Sequence, residues 1–164
     1  MIVFGIDPGV SGAISVFEDK KITTFFDMPT MIEGKKNKRQ VNAAQLAHEI
    51  KSRIIDRDNS AVLIEQVGAM PGQGVTSMFN FGQTFGAIKG ISAALGLPIF
   101  FVRPAKWKKH FELINSSKDA SRTKAIEMYP SIAEKLSKKK DVNKSDAILI
   151  ARYYSETRFK DESK

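Results

Sequence analysis

Three carboxylates stand out because of what surrounds them. Asp7 ends the apolar run Ile2-Val3-Phe4-Gly5-Ile6 and leads straight into Pro8-Gly9. Glu65 ends Ala61-Val62-Leu63-Ile64 and is the single acid between residues 61 and 102. Asp146 sits in Asn143-Lys144-Ser145-Asp146-Ala147-Ile148-Leu149-Ile150-Ala151, a polar turn opening an apolar helix. A carboxylate beside a buried strand is costly unless a cation or hydrogen bonds compensate it. Each acid has an ordinary reading: a strand end that reaches solvent, or, for Asp146, the preference of acids for a helix's first turn. Three acids at three element ends point instead to one crevice beyond the carboxyl ends of a sheet. Like charges converging there need a cation, and oxygen-only ligation suits Mg2+ or Mn2+. Two such ions about 3.5–4 Å apart activate a water and stabilise the leaving oxygen in phosphodiester hydrolysis.

Other chemistry is excluded by spacing. Gly72-Gln73-Gly74 lacks the third glycine of a dinucleotide fingerprint, and no glycine-lysine-serine/threonine triplet forms a P-loop. In Gly9-Val10-Ser11-Gly12 the glycine follows the serine directly, so it is no nucleophile elbow. His48 and His110 have no ligand spacing and are expected at the surface, His110 near phosphate.

The elements that position the acids follow from pattern. Residues 2–7 read as a central strand, because the apolar run is continuous. Residues 13–18 and 22–26 alternate around Asp19-Lys20 and predict a hairpin. Residues 30–40 read as a charged loop. Asn42 caps a helix carrying Leu46, Ile50 and Ile54 at helical spacing. The strand ending at Glu65 comes next, then a Gly/Pro loop over 68–74. A small-residue helix over 76–95 carries Gly82, Gly86 and Gly90 every fourth position, a smooth face for close approach. Residues 99–102 predict a short strand. Basic helices near 104–112 and 117–129, broken by Pro130, precede a final helix over 143–158. The expected architecture is α/β, a mixed five-stranded sheet flanked by helices. One domain over 1–159 is expected, with a frayed tail over 160–164.

Composition narrows the partner. The chain has 164 residues, 26 Lys+Arg, 18 Asp+Glu and a formal net charge of +8. Residues 103–144 alone carry 12 basic and 5 acidic groups, so nearly the whole excess lies there. A clustered excess around Trp107 favours phosphate binding over a generally solvated surface. With no cysteine, thiol nucleophiles and cysteine-ligated metals are excluded. No apolar run approaches a membrane span, and the N-terminus meets Asp7 too early for a signal peptide. A cytoplasmic protein is expected, in the virion or host cytoplasm if viral.

Taken in order, the motifs resemble those of Holliday-junction resolvases of the RuvC type, within the RNase H-like nucleases. Gly5-Ile6-Asp7-Pro8-Gly9 with Gly12 is similar to the first acidic motif, and Ile64-Glu65-Gln66-Val67 to the second. Phe81-Gly82-Gln83-Thr84-Phe85-Gly86 resembles the glycine-marked helix that packs on a partner subunit. Leu97-Pro98-Ile99-Phe100 resembles the next strand, and Ser145–Ala151 the last acidic helix. The resemblance implies an RNase H-like fold and a homodimer that nicks four-way DNA junctions with two divalent ions. Asp7, Glu65 and Asp146 would be ligands. The family's other helix acid falls at Asn143, which could ligate through its amide oxygen, or Asp141 could substitute if residues 141–143 are not helical. Lys108 and Lys118 fit basic positions near the scissile phosphate. Arg103, Lys106, Arg122 and Lys124 are candidate backbone contacts. Trp107 is either core or a base or sugar contact. The aromatic wedge known in part of the family aligns with Gly68, leaving Met70 as the nearest apolar side chain. The glycine- and proline-rich loop around it suits a phage- or virus-like branch. A RuvC-like nuclease acting on RNA, and a junction-binding protein with reduced catalysis, are the alternatives; Asn143 motivates the second.

Overall fold

The computed structural model describes residues 1–33, 38–69 and 71–161, with side chains described to residue 158. Strand β1 (Ile2–Asp7) is buried along nearly its whole length, as its unbroken apolar run requires, and occupies the centre of the sheet. It pairs antiparallel with β2 (Ala13–Glu18), which pairs antiparallel with β3 (Lys21–Asp27). A hairpin of β4 (Thr30–Glu33) and β5 (Lys38–Val41) stands where a loop was expected. Both its faces are largely solvated, so no apolar alternation marks it in the sequence. Arg39 ties it down by donating to Thr30 Oγ1 and to the Val10 carbonyl.

Helix α1 (Ala43–Lys51) starts at Asn42, whose side chain accepts from the Gln45 amide at 3.0 Å. Strand β6 (Ser60–Glu65) lies parallel to β1, with Ile6 opposite Ile64, and β7 (Ile99–Val102) lies parallel to β6. Between them runs α2 (Val75–Ala94). The chain closes with α3 (Pro104–His110), α4 (Ala120–Met128), two short 3-10 segments and α5 (Val142–Asp161). The five-stranded sheet has the order β3-β2-β1-β6-β7. Helix α5 reaches two residues into the segment expected to fray; the rest of that tail lies outside the described residues, as does Met70. Among the described residues no helix is long and apolar enough to cross a membrane.

Strand alternation sorts the core into two layers. Ile2, Phe4 and Ile6 of β1 and Val62 and Ile64 of β6 pack with Leu46, Ile50 and Ile88 of α1 and α2. Val3 and Leu63 face the other way, onto Trp107 of α3 and Leu149, Ile150 and Tyr153 of α5. The same parity puts Gly5 and Asp7 on the side of Val3, and Glu65 on the side of Leu63. Two carboxylates therefore leave adjacent parallel strands on the face that α3 and α5 cover.

Candidate active site

Asp7 and Glu65 end β1 and β6 side by side, and Asp146 lies in the first turns of α5 above them. The turn after Asp7 is set by a close approach: a Cβ on Gly12 would lie 2.0 Å from the Asp7 carbonyl oxygen. Only glycine fits there. Helix α5 comes down onto Gly5 through Ala147 and Ala151, and Ser15 Oγ donates to the Ala147 carbonyl at 2.7 Å. Asp146 precedes that anchor by one residue.

The electrostatics show how tightly the acids are coupled. Burial first, then the negative charges of Glu65 and Asp146, push the Asp7 carboxyl up to about 8, against the pull of Lys108. Burial raises Asp146 to about 6, opposed by the Ser121 hydroxyl, Lys108 and Lys118. Asp146 Oδ1 is buried with no hydrogen-bond partner among the described residues. Uncompensated buried oxygens of this kind call for a cation. Among the described residues no three acid or imidazole side chains yet stand close enough to hold a metal ion. The donors nevertheless suit one: all oxygen, one orphaned, mutually repelling. They fit a hard divalent cation rather than a soft one.

Asn143 donates from its side-chain nitrogen to the Ser11 carbonyl at 2.5 Å, so its amide oxygen is the atom that could ligate a cation. It borders, with Asp146, Lys108, Lys118 and Ser121, a cavity of about 160 Å3. Asp141, the other possible ligand, is committed elsewhere. Its Oδ2 accepts from the Lys138 amide at 2.9 Å, its Oδ1 binds Lys144 Nζ at 3.1 Å, and these contacts hold its carboxyl below the ordinary range despite burial. It caps the turn that launches α5. Asp141→Asn is therefore expected to cost about 1–2 kcal/mol of stability while leaving the Mg2+ concentration for half-maximal thermal stabilisation unchanged. A shifted Mg2+ midpoint in a thermal melt would make Asp141 a ligand after all.

The basic residues separate into groups. Lys108 and Lys118 border the cavity beside Asp146. Arg103 and Lys106 are exposed at the start of α3. Lys124 borders a neighbouring cavity with Glu112 and Glu127. Arg122 is spent inside the chain: it grips the Asp119 carboxylate at 2.8 and 2.7 Å and the Leu136 carbonyl at 3.0 Å, bracing α4 rather than reaching out. Trp107 is 0 % exposed, which excludes the base or sugar contact and makes it core. His110 is no phosphate group; it is half-buried and bonded to Glu156 at 2.6 Å, while His48 is exposed as expected.

Sequence reasoning missed three supporting parts. Ser121, beside Asp146, gave no signal among the many serines. The Trp107 indole nitrogen donates to Glu65 Oε1 at 2.8 Å, a contact across 42 residues of sequence. The third is the small-residue pair Ala147 and Ala151, four apart on α5 and opposite Gly5; that spacing was readable.

No family model matches this sequence, and no curated protein matches it. Solved structures do. Thermus thermophilus RuvC in complex with a Holliday junction substrate superposes with a TM-score of 0.59 at 17% identity, over 96% of each chain. A second T. thermophilus RuvC structure gives 0.50 at 19% identity, again over 96% of each chain. The fowlpox virus Holliday junction resolvase gives 0.52 at 12% identity, over 96% of this chain and 99% of that one. With near-complete coverage of both chains, this five-stranded mixed sheet flanked by helices shares its fold with these Holliday junction resolvase structures.

Proposed function

We propose that this chain, as one nuclease domain over residues 1–159, is a structure-selective endonuclease that resolves four-way DNA junctions by divalent-metal-dependent phosphodiester hydrolysis. The observation that carries the reading is the convergence of Asp7, Glu65 and Asp146 at the carboxyl end of the sheet, next to Lys108 and Lys118. Two Mg2+ or Mn2+ ions held by Asp7, Glu65, Asp146 and the Asn143 amide oxygen would supply an activated water and charge stabilisation at the leaving oxygen. Lys108 and Lys118 hold the scissile phosphate at the cavity mouth. Arg103 and Lys106 bind the flanking backbone without reading sequence.

The partner is branched DNA, and the second protomer docks on α2. Val75, Phe79, Gly82, Gly86 and Gly90 share one exposed face there, with Val75 87% and Phe79 65% exposed. A Cβ on any of the three glycines would meet nothing within 4 Å among the described residues. Such a face favours close approach of a second helix.

The test is nicking of a synthetic four-way junction, with flap, RNA–DNA hybrid and structured RNA as competitors. Paired nicks on opposite strands are expected in Mg2+ and none in EDTA, because a dimer presents two sites. Asp146→Asn should lower the single-turnover rate by about three decades. Equal nicking by the wild type and Asp146→Asn removes the site, unpaired nicks remove the dimer, and preferred cleavage of RNA replaces the substrate. Asn143 in place of a fourth acid favours one second reading, a junction binder with reduced catalysis. Tight junction binding without cleavage in Mg2+ or Mn2+ would establish it.

A further inference from the structure

Trp107 is the largest fully buried side chain in the molecule's described part, and its one polar atom is aimed at Glu65. The ring lies among Val3, Leu63, Val102 and Leu149, so nothing mobile holds it. Its N–H can only donate, and Glu65 Oε1 takes that bond at 2.8 Å. Glu65 therefore enters the crevice with one oxygen fixed and the other left for an ion.

The type of donor matters. Asp7 and Glu65 already end adjacent parallel strands side by side, so negative charge is crowded in this crevice. A lysine in place of the indole would neutralise Glu65 and repel a cation. A neutral N–H fixes the carboxylate and leaves its charge intact. Its neighbour Lys108 lies over the Trp107 ring, Nζ 5.3 Å from the centroid, so the same indole also seats the lysine that borders Asp146. One rigid side chain thereby fixes the relative positions of an acid on β6 and a cation on α3.

We propose that Trp107 is a positioning residue, whose indole N–H locks Glu65 in the orientation that receives the divalent ion. The inference rests on the metal-dependent reading above. It also makes Trp107, the sole tryptophan of the chain, a built-in optical reporter of that site.

Two forms of the full chain test it. Trp107→Phe keeps an aromatic ring and removes the donor. Biosynthetic replacement of the sole tryptophan by 3-benzothienylalanine, with sulfur where the N–H stands, removes the donor at nearly constant shape. It serves where the Phe variant folds poorly. Each should need about 10- to 100-fold more Mg2+ for half-maximal thermal stabilisation, the usual effect of losing a hydrogen bond that orients a ligand. Junction affinity in EDTA should stay within about twofold. Wild-type indole emission should shift with Mg2+ over the range that raises the melting temperature. In a Glu65→Ala background, the benzothienyl replacement should change the Mg2+ midpoint by less than about twofold, since the acceptor of the indole N–H is gone.

The inference falls if the benzothienyl form binds Mg2+ like wild type, or if its loss recurs in full in the Glu65→Ala background. It also falls if Mg2+ changes neither melting nor emission of the wild type. A chain whose indole reports Mg2+ as described but which nicks no nucleic acid would overturn the nuclease reading and leave this one standing.

Discussion

Asp7→Asn is expected to lower junction nicking by three decades or more and, in the absence of metal, to make the protein more stable than wild type. The first half follows from the proposed ligand role: losing a principal ligand forfeits several kcal/mol of transition-state stabilisation, and about 4 kcal/mol is three decades. The second half follows from the cost of the acid itself. Its carboxyl titrates near 8 in the folded chain against 3.8 for an ordinary aspartate, so folding must hold an unwelcome charge. The sign is as follows. Between pH 4 and 8 the folded state binds more protons at this residue than the unfolded state does. Stability therefore falls as pH rises through that window. Asparagine is neutral throughout and removes the slope. At about pH 3.5 the wild-type carboxyl is protonated in the folded chain and largely so in the unfolded one, so the two proteins should melt nearly together. At pH 8.5 the variant should be ahead by about 2–3 kcal/mol, the repulsion being shared with Glu65 and Asp146, or about 5–10 °C in a domain of this size. Mg2+ should reverse the order, stabilising wild type and not the variant. Melting curves with and without Mg2+ at the two pH values read all of this. A variant that is less stable at pH 8.5 without metal, or that gains as much from Mg2+ as wild type, would refute the crowding of charge at this site.

The acid-bearing end of the sheet was legible because each acid borders an apolar run. A lone Glu65 in 42 residues is conspicuous in any order of reading, and strand parity then puts it on the face of Asp7. The five strands of the main sheet and its mixed type followed from pattern as well. What stayed hidden was contact between distant segments. Nothing near Trp107 in sequence announces Glu65, and core burial looks the same whether an indole N–H is satisfied by a carbonyl or by a carboxylate. Asp141 and Asn143 looked interchangeable until the turn before α5 was seen to consume Asp141 as its cap. The β4–β5 hairpin was missed for a different reason. A strand that buries neither face carries no period-2 hydrophobic signal, and its charges read as loop. Arg122 was read only as an outward contact, and its two bonds to Asp119 three residues earlier went unread, a pairing that the spacing did permit.

Gly5→Ala should be among the most damaging single-methyl changes in the chain. A Cβ there would lie 2.4 Å from the Ala147 carbonyl oxygen, 2.5 Å from the Ala151 amide nitrogen and 2.7 Å from the Ala151 Cβ. Two of those three atoms belong to the backbone of α5 and cannot rotate aside. The helix must lift, and Ser15, which donates to that same Ala147 carbonyl, resists it. Overpacking a rigid contact of this kind costs about 3 kcal/mol or more, a loss of about 6–12 °C. The functional loss should exceed the stability loss. Asp146 is the neighbour of Ala147, so any lift of α5 carries it away from Asp7 and Glu65. A displacement of about 1 Å costs about two decades in rate even in molecules that remain folded. Ala151→Gly in the same chain should restore only part of the stability, because the Ala147 oxygen and Ala151 nitrogen stay in place. Ser15→Ala separates anchoring from crowding: it removes one hydrogen bond, costs about 1 kcal/mol, and should leave nicking within a few-fold of wild type. Denaturant melts and single-turnover nicking of the four proteins decide the matter. If Gly5→Ala melts within about 0.5 kcal/mol of wild type and nicks at the same rate, α5 does not set the position of Asp146 through Gly5.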